Sequence, residues 1–495
     1  MDQRESRPNV LLIMCDQMRG DCLGIDGHPD VKTPYLDTLA AHGMLFENAY
    51  TACPSCIPAR ATLFTGKTPA GHGRVGYQDG NTWDFDHMLA QEMRDGGYQT
   101  AVVGKMHVHP PRLGCGFEHM RLHDGYIGHY RKANLPYWMH QNVSDDYMRF
   151  LRNELGGAAD VNGTGVENNS WITHPWAYEE RLHPTNWVVD ESIRFLDTRD
   201  RTRPFFLMAS FVRPHPPFDA PQTYFDLYRD ADLREPATGD WDNVAATERD
   251  GMIYDSIHGC RDAELRRQAL AGYYACITHL DHQVGRLLTS MENDGTYDDT
   301  IIVFCSDHGE LLFDHGLFRK TLPYEGATRV PLIFHVGKKV ALPGGGRATG
   351  KSESLVELMD LMPTLLDLCG LSIPEEVEGS SLAQELAGTE KLDRAYLHGE
   401  HSRDREQSNQ WIVTEHDKYL WFTQTGIEQY FNLDEDPRET HNLIDDPACA
   451  ERIAELRGLL IDELEGREEG YVEDGKLVVG RTPVKVLEHP RAAHR

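Results

Sequence analysis

The sequence has few cysteines, no long hydrophobic run and a shortage of basic residues. Ten cysteines in 495 residues are too sparse for a disulfide scaffold, and Cys53 and Cys56 form a lone CxxC without the second pair that a zinc ribbon needs. The first apolar run, residues 10–14, is too short for a signal peptide, and no later stretch approaches a membrane span. These absences predict a reduced, cytoplasmic protein without a membrane segment.

Basic residues are outnumbered, since 49 Lys and Arg stand against 79 Asp and Glu and give a formal net charge of −30. A nucleic-acid or anionic-membrane partner would require clustered positive charge, so neither partner is expected. Apolar residues make up 40% and charged residues 26% of the chain, which is an ordinary globular composition and excludes a disordered or fibrous protein. A length of 495 residues predicts about two or three domains.

Four short apolar runs are continuous rather than alternating, which is typical of strands buried on both faces of a parallel sheet. They cover residues 10–15, 100–103, 204–211 and 300–305. Helical patterns lie between and around them, at residues 35–42, 83–96, 187–198 and 264–292. Strands and helices that alternate in this way predict an α/β layer structure.

The pattern changes towards the C-terminus. Residues 355–368 form an amphipathic pattern that predicts a helix, with Gly370 as its cap. Beyond residue 371 come four alternating segments and a charged helical pattern, at 395–399, 411–414, 419–423, 428–431 and 448–466. We therefore expect a larger N-terminal domain over residues 1–371 and a smaller α+β domain with an antiparallel sheet over 372–495.

Two segments allow two interpretations each. Residues 113–180, rich in Gly, Asn, His and aromatics, are predicted to be an insertion. Trp138, Trp171 and Trp176 of this insertion line a sugar or aryl pocket in one interpretation and pack over the sheet in the other. The tail, residues 471–495, is long enough to contact a neighbouring subunit of a homo-oligomer, and a disordered end is the alternative.

Polar residues follow each of the four predicted strands. In chain order they are Asp16 and Gln17, Lys105 and His107, His215, and finally Asp307 and His308. Ligands of open α/β sheets bind outside the carboxyl ends of the strands, so we expect these side chains to meet. The carboxylates, the amide and His308 are ligands that suit a divalent cation, and the other side chains offer donors and proton-transfer groups for an anion bound there.

A nucleophile for such a site is offered by residues 51–66. Pro58 suits the first turn of a helix that starts near Cys56, and the positive end of that helix would face an anion. Arg60, one turn further on, would reach the same place. Spacing alone leaves open whether Cys56 is a nucleophile or a buried thiol that packs at a helix start.

These residues match a family signature. Cys56-Ile-Pro58-Ala-Arg60, followed by Thr65-Gly66, resembles the C-x-[PA]-x-R…T-G signature of the type I sulfatases, which belong to the alkaline phosphatase superfamily. Further matches span nearly the whole chain in the order of the family: Arg7 to Asp16, Gly104-Lys105-Met-His107, Ser306-Asp307-His308-Gly-Glu310, Lys320, Tyr324-Glu325-Gly326, Arg329-Val-Pro331 and Asp434-Glu-Asp-Pro437-Arg-Glu439-Thr-His-Asn442-Leu443. The resemblance implies an alkaline-phosphatase-like sandwich, with a large mixed, mostly parallel sheet flanked by helices.

The same resemblance implies an activity, the hydrolysis of small aryl or carbohydrate sulfate monoesters. In the family the cysteine is oxidised to formylglycine, whose hydrate is the nucleophile beside one divalent metal ion. The implied metal ligands are Asp16, Gln17, Cys56, Asp307 and His308. The other implied roles are Asp307 as base, Arg60 and Lys105 as donors to the nucleophile, Lys320 and His215 as donors to the sulfuryl group and the leaving alcohol, and His107 as the base that releases sulfate.

This chain departs from the family pattern at three positions. Ala59 replaces the usual serine, but the C-x-P-x-R core expected by a formylglycine-generating or anaerobic sulfatase-maturing enzyme is intact. Gln17 and His308 stand where many members have Asp and Asn, which is similar to the branch that holds phosphonate monoester hydrolases. Lys105 and His107, in contrast, match the sulfatases and favour sulfate esters.

Two further questions follow from these departures. The family implies calcium first, with magnesium also open, whereas fewer carboxylates and an added imidazole make manganese or zinc suitable. The alternative functions are a phosphonate monoester or phosphodiester hydrolase of the same superfamily and a non-catalytic, metal-dependent anion-binding relative in which Cys56 stays a thiol.

Overall fold

The computed structural model describes residues 7–124, 145–161, 165–403 and 407–491. Strands in these ranges are β1 Asn9–Asp16, β2 Met44–Phe46, β3 Ala49–Tyr50, β4 Gln99–Gly104, β5 His119–Leu122, β6 Phe205–Pro214, β7 Thr300–Ser306, β8 Leu332–Val336, β9 Gly350–Ser352, β10 Val356–Glu357, β11 Leu397–His401, β12 Asn409–Val413, β13 Asp417–Phe422, β14 Glu428–Asn432, β15 Val472–Glu473 and β16 Lys476–Leu477. The α-helices are Pro34–Ala41, Cys56–Thr65, Pro69–His72, Leu89–Asp95, Asp146–Leu155, Pro184–Thr198, Gln222–Asp226, Val244–Asp250, Ala263–Asp294, Glu325–Thr328, Leu361–Leu368, Ala383–Leu386 and Ala450–Leu464.

A large sheet of eight strands organises the first part of the chain, in the order β5-β4-β6-β1-β7-β8-β2-β9. The strands from β5 to β7 run parallel, while β8 is antiparallel to both of its neighbours. All four strands predicted from continuous apolar runs lie in this parallel part. The predicted mixed, mostly parallel sheet is therefore confirmed.

Each face of the large sheet buries its own core. In β1, Leu11 and Ile13 belong to one core and Val10 and Leu12 to the other, and all four are fully buried. Helices Pro184–Thr198 and Ala263–Asp294 supply the first core, and helices Cys56–Thr65 and Leu361–Leu368 supply the second. Because helices cover both faces, the strand has to be apolar at every position, which is the pattern seen in the sequence.

A second, smaller sheet follows in the C-terminal part, where β11 to β14 form an antiparallel meander. Ile453 and Leu456 of the helix Ala450–Leu464 pack on one face of this sheet, against Ile412. The other face carries Trp411, which packs into a core shared with Leu311 of the first part. The smaller α+β unit is thus present as predicted, while the exact boundary at residue 371 stays a prediction.

A fully buried lysine joins the two parts. The Lys418 ammonium of β13 lies 2.6 Å from a carboxylate oxygen of Glu325 and 3.1 Å from one of Glu439. Glu439 also accepts a hydrogen bond of 2.7 Å from the backbone N–H of Glu325. These glutamates are the acidic residues of the Tyr-Glu-Gly and Asp-Pro-x-Glu motifs, so those motifs meet in one buried ion cluster.

Two predicted helices are shorter than expected. The predicted helix 355–368 begins only at Leu361, because Val356–Glu357 pairs with β3 and the Glu357 and Asp360 side chains form a capping box over the intervening turn. The pattern at 83–96 is helical only over Leu89–Asp95. Trp83 lies outside that helix, packing edge-on against Phe64 at 5.7 Å between ring centroids.

The segment predicted as an insertion contributes to the main fold. Its residues His119–Leu122 form the edge strand β5, and Asp146–Leu155 form a helix. Trp171 and Trp176 are buried in the core beneath this segment, as the packing interpretation expects, and Trp138 lies outside the described residues.

The tail folds back onto its own chain as far as it is described. Leu487 donates its backbone N–H to Gly73 O at 2.9 Å, and Lys485 O accepts from the backbone of Val75 at 3.1 Å. The alternative of a disordered end is therefore not met over residues 471–491, and a contact with a neighbouring subunit stays a prediction. None of the described helices combines the length and the hydropathy that a bilayer crossing requires.

Candidate active site

The four strand ends meet at one edge of the large sheet, as predicted. Asp16 ends β1, Lys105 follows β4, His215 follows β6 and Asp307 follows β7. These strands are adjacent and parallel, so their carboxyl ends deliver all four side chains to the same place. All four are buried.

At the centre lie four potential metal ligands, Asp16, Cys56, Asp307 and His308, whose ligand atoms are all within 4.8 Å of one another. The Sγ atom of Cys56 is 3.6 Å from Oδ1 of Asp16 and 3.3 Å from Nε2 of His308. Two carboxylates and an imidazole form a donor set suited to manganese or zinc more than to an all-oxygen calcium site.

His308 is held in the tautomer that a metal ligand needs. Its Nδ1 lies 2.9 Å from the carbonyl oxygen of Gly309, and because a carbonyl only accepts, Nδ1 carries the proton. Burial lowers the pKa of His308, although Asp307 opposes this effect, so the ring is neutral near pH 7. The lone pair of Nε2 therefore faces Asp16 and Cys56, as in metal-binding histidines.

The carboxylate of Asp16 is stabilised by surrounding cations. Burial by itself would raise its pKa, but the ammonium groups of Lys105 and Lys320 act in the opposite direction and hold the pKa well below the usual range. The Lys105 ammonium donates directly to Asp16 Oδ2, and this contact raises the pKa of Lys105 in spite of its burial. Both groups are consequently charged over the physiological pH range.

Cys56 is the first residue of a helix, Cys56–Thr65, whose ten residues are all buried. Arg60 lies one turn along this helix, where its Nε donates to Asp307 Oδ2 at 2.9 Å. Its Nη1 donates to the carbonyl oxygen of Lys105 at 2.9 Å and to Ser210 Oγ at 3.1 Å. Arg60 thereby connects the helix Cys56–Thr65 to β4, β6 and β7.

Gln17 has contacts that differ from the predicted metal ligation. Its amide oxygen accepts from the Lys320 ammonium, and its amide nitrogen donates to the carboxylate of Glu310. The side chain of Gln17 therefore connects Lys320 to Glu310. Glu310 belongs to the Ser306-Asp307-His308-Gly-Glu310 motif, but the sequence predicted no role for it.

His107 faces two residues that sequence reasoning missed. Its Nε2 lies 3.4 Å from Oδ1 of Asp79, and the phenol of Tyr77 donates to both oxygens of Asp79, at 3.1 and 3.0 Å. Burial opposes protonation of His107, but hydrogen bonds to Asp79 and Cys56 outweigh it and raise the pKa. Tyr77 and Asp79 lie in a loop between helices, where no strand end or motif marks them.

His215 is neutral, and a hydrogen bond determines which of its ring nitrogens carries the proton. Burial and the nearby Lys320 ammonium hold the pKa of His215 well below its usual value, so the ring is neutral. Its Nδ1 lies 2.7 Å from the carbonyl oxygen of Pro216, which fixes the proton on Nδ1 and leaves Nε2 as an acceptor. The Nε2 atom of His215 therefore carries no proton to donate.

A cavity of about 620 Å³ opens over this cluster. Besides the predicted residues, its wall contains Arg319, Thr321, His401, Arg403 and Lys485. The last three come from the C-terminal part of the chain, far from the strand-end motifs in sequence. His401 ends β11, two residues beyond the predicted segment 395–399, and that strand is antiparallel, where the strand-end rule does not apply.

Comparison of the sequence with family models shows which known proteins the chain resembles. The model described as "Sulfatase" matches residues 8–371, which is most of the chain. The chain belongs to the sulfatase family. As a sulfatase it is an enzyme, a sulfuric ester hydrolase, and the type I resemblance is confirmed. A model described as "N-sulphoglucosamine sulphohydrolase, C-terminal" matches residues 313–465.

Curated sulfatases match over nearly the full length. An arylsulfatase of Clostridium perfringens is 48% identical over 98% of this chain and 100% of its own. A choline-sulfatase of Rhizobium meliloti is 31% identical over 89% of this chain and 83% of its own. The solved phosphonate monoester hydrolase of Agrobacterium radiobacter superposes with a TM-score of 0.75, at 28% identity, over 91% of this chain and 94% of its own.

Proposed function

We propose that the protein hydrolyses small aryl or carbohydrate sulfate monoesters at a formylglycine made from Cys56. The observation that carries this proposal is the position of the Cys56 side chain, at the N-terminus of a buried helix and 3.3 Å from His308 Nε2. The arylsulfatase of Clostridium perfringens, similar over its whole length, supports sulfate monoesters as the substrate class. The intact C-x-P-x-R core makes a formylglycine-generating or anaerobic sulfatase-maturing enzyme the required partner.

Asp16, Asp307 and His308 would hold one divalent cation, together with the side chain at position 56. The cation would supply charge for the sulfuryl oxygens and lower the pKa of a hydroxyl bound to it. The imidazole in this donor set favours manganese or zinc, with calcium and magnesium as alternatives.

Formylglycine would supply a hydrated aldehyde as the nucleophile in place of water. The Lys105 ammonium and the Arg60 guanidinium orient the groups around it, since Arg60 fixes Asp307 and Lys105 fixes Asp16. Asp307 accepts the proton of the attacking hydroxyl on a carboxylate oxygen. All of these groups are buried, so their charges act at low dielectric without reorganising during the reaction.

Lys320 protonates the leaving alcohol from its ammonium. His215, whose Nδ1 proton is engaged by Pro216 O, instead accepts a hydrogen bond at Nε2 and orients the substrate. His107, paired with Asp79, accepts a proton when sulfate is released. Family resemblance left Lys320 and His215 as equal candidates for the acid, and the tautomer of His215 favours Lys320.

The net charge of −30 is compatible with an anionic substrate because the site has its own field. Lys105 and Lys320 place positive charge in the cavity wall, and the buried Arg60 lies against Asp307 of the ligand cluster. Such a focused field attracts a small anion, whereas a long polysulfated chain would meet the acidic surface. We therefore favour a small monoester.

The decisive experiment is mass analysis of the Cys56 peptide after co-expression with a formylglycine-generating enzyme. Formylglycine lacks the sulfur of cysteine, so the peptide mass separates the two. Converted protein should hydrolyse 4-nitrophenyl sulfate, and Cys56→Ala should abolish turnover while leaving the unfolding temperature unchanged. Cys53→Ala is the matched control, because Cys53 is equally buried three residues earlier and should retain turnover. Wild-type turnover by Cys56→Ala would disprove the mechanism.

The second candidate is a phosphonate monoester or phosphodiester hydrolase, which the similarity to the Agrobacterium radiobacter enzyme favours. Comparing kcat/KM for 4-nitrophenyl sulfate and 4-nitrophenyl phenylphosphonate on one preparation distinguishes the two. A protein that keeps its Cys56 thiol after co-expression, and binds sulfate without turnover, would instead be a non-catalytic anion-binding relative.

A further inference from the structure

Lys320 lies in a turn whose backbone is strained on both sides. Arg319 has a φ of 76° and Thr321 a φ of 87°, both in the left-handed region that favours glycine. Thr321 is β-branched, and a β-branched residue at positive φ is a genuine outlier. Such strain persists only where surrounding contacts determine the conformation, and it is concentrated at functional sites.

Two side-chain contacts to Thr321, at the end of this turn, come from the C-terminal part of the chain. Asn409, fully buried in β12, donates from Nδ2 to the carbonyl oxygen of Thr321 at 2.9 Å. Arg403 donates from Nη1 to Thr321 Oγ1 at 2.9 Å. From the N-terminal part of the chain, Pro54 O accepts a hydrogen bond from the Thr321 N–H at 3.2 Å.

The orientation of the Asn409 amide is unambiguous. Its Nδ2 also lies 2.8 Å from the carbonyl oxygen of Gln407, and both partners can only accept. Both N–H groups of the amide are therefore donated to carbonyl oxygens, and a side chain that can only accept cannot make these two hydrogen bonds. An aspartate at this position would keep the shape but oppose two carbonyl oxygens with a carboxylate.

On the other side of the turn, the Lys320 ammonium donates to the amide oxygen of the buried Gln17. The backbone N–H of Arg319 donates to Glu310, the other partner of Gln17. The turn is thus fixed from the catalytic side at Arg319 and Lys320 and from the C-terminal sheet at Thr321.

We propose that Asn409 is a positioning residue for Lys320, which it holds at the sulfuryl site by maintaining the strained conformation of Thr321. This inference rests on the proposed function, because it assigns Asn409 a role through Lys320. The C-terminal sheet is then a working part of the active site as well as a support for the fold. Asn409 touches no substrate, so its contribution is geometric.

Two variants test the proposal from opposite sides. Asn409→Asp removes both donors without changing the volume, and kcat for 4-nitrophenyl sulfate should fall by about 10- to 100-fold with little change in KM, as expected for a small displacement of an acid. Thr321→Gly adopts the positive φ without strain, so its unfolding temperature should be unchanged or higher, and adding it to Asn409→Asp should restore part of the lost kcat. A residue with only a structural role would not separate activity from stability in this way.

The matched control is Gln410→Glu, an isosteric amide-to-acid change at the next residue of the same strand. The Gln410 amide contacts Glu400 and His398 instead of the Lys320 turn. This variant should lose stability but keep the wild-type kcat. If Gln410→Glu and Asn409→Asp lower kcat equally, the loss reflects general damage to the sheet and the proposal is overturned.

A double-mutant cycle with Lys320→Ala tests whether Asn409 acts through Lys320. In the Lys320→Ala background, Asn409→Asp should have no further effect on kcat or on the affinity for inorganic sulfate measured by calorimetry. Additive effects would refute the proposal. The calorimetric measurement of sulfate affinity needs no turnover. It therefore still tests the positioning role if the wild-type protein fails to hydrolyse sulfate esters. That failure would refute the proposed function and leave the positioning role to be decided by the sulfate affinities.

Discussion

The guanidinium Nε of Arg60 lies 2.9 Å from Oδ2 of Asp307, and both side chains are fully buried. Burial opposes the charge on Arg60, but Asp307 and Asp16 outweigh it and raise the pKa of the guanidinium. The pair fixes the helix that begins at Cys56 against the end of β7. The same contact therefore serves the fold and the site.

Replacing Arg60 should be costly for stability. Arg60→Met leaves the Asp307 carboxylate buried without its partner, and we expect the free energy of unfolding to fall by about 3–5 kcal/mol. Urea denaturation measures this change. Arg121→Met is the control, because Arg121 pairs with Glu191 with a third of its side chain exposed and should cost less than about 1 kcal/mol. Equal losses in the two variants would contradict the prediction.

The metal affinity should depend on His308 and be nearly independent of Gln17. His308→Ala removes the imidazole of the ligand cluster, so the affinity for Mn²⁺ measured by calorimetry on chelator-treated protein should fall by more than about 10-fold. Gln17→Ala should leave the affinity near the wild-type value, because the Gln17 amide is bonded to Lys320 and Glu310. A large loss in Gln17→Ala would instead support ligation by the amide.

The stability that the buried Lys418 cluster provides should depend on the balance of its charges more than on the volume of its side chains. Lys418→Met keeps the volume but leaves two buried glutamates facing each other, so the free energy of unfolding should fall by about 3–5 kcal/mol. The triple variant that adds Glu325→Gln and Glu439→Gln removes the stranded charges and should recover most of that loss. Thermal and urea unfolding of the three proteins check this, and no recovery would indicate that packing dominates.

Stability should fall at mildly acidic pH through His72. Burial and the neighbouring Arg74 lower the pKa of His72 to about 3, and its Nδ1 accepts a hydrogen bond of 3.1 Å from the Arg74 N–H, which a charged ring could not do. The unfolded chain therefore binds a proton below about pH 6.5 that the folded chain does not.

Between about pH 6 and 4, this residue should contribute a loss of about 1.4 kcal/mol of unfolding free energy per unit of falling pH. His72→Gln keeps a donor for Thr62 and an acceptor for Arg74 without titrating. Urea denaturation at several pH values should give a shallower dependence for the variant. Parallel curves for the two proteins would disprove the assignment.

Local patterns in the sequence were enough to predict the parallel sheet and the strand ends. Continuous apolar runs such as that of β1 require two covered faces, and parallel strands require a common edge for Asp16 and Asp307. The apolar pattern predicted the wrong start of a helix where hydrogen bonds from a few side chains fix the backbone. The helix at Leu361 begins late because the capping bonds of Glu357 and Asp360 redirect the backbone, and no count of apolar residues contains that information.

The sequence by itself determined the fold class, the family and the identity of the central residues, because these depend on periodicity and on residues close together in the chain. Only the tertiary structure decided which atoms face each other. In the structure the Gln17 amide is hydrogen-bonded to Lys320 and Glu310, and the proton of His215 lies on Nδ1. Asn409 contacts the turn that holds Lys320. Hydrogen bonds depend on distance and direction between residues far apart in the chain, and only the folded backbone sets these.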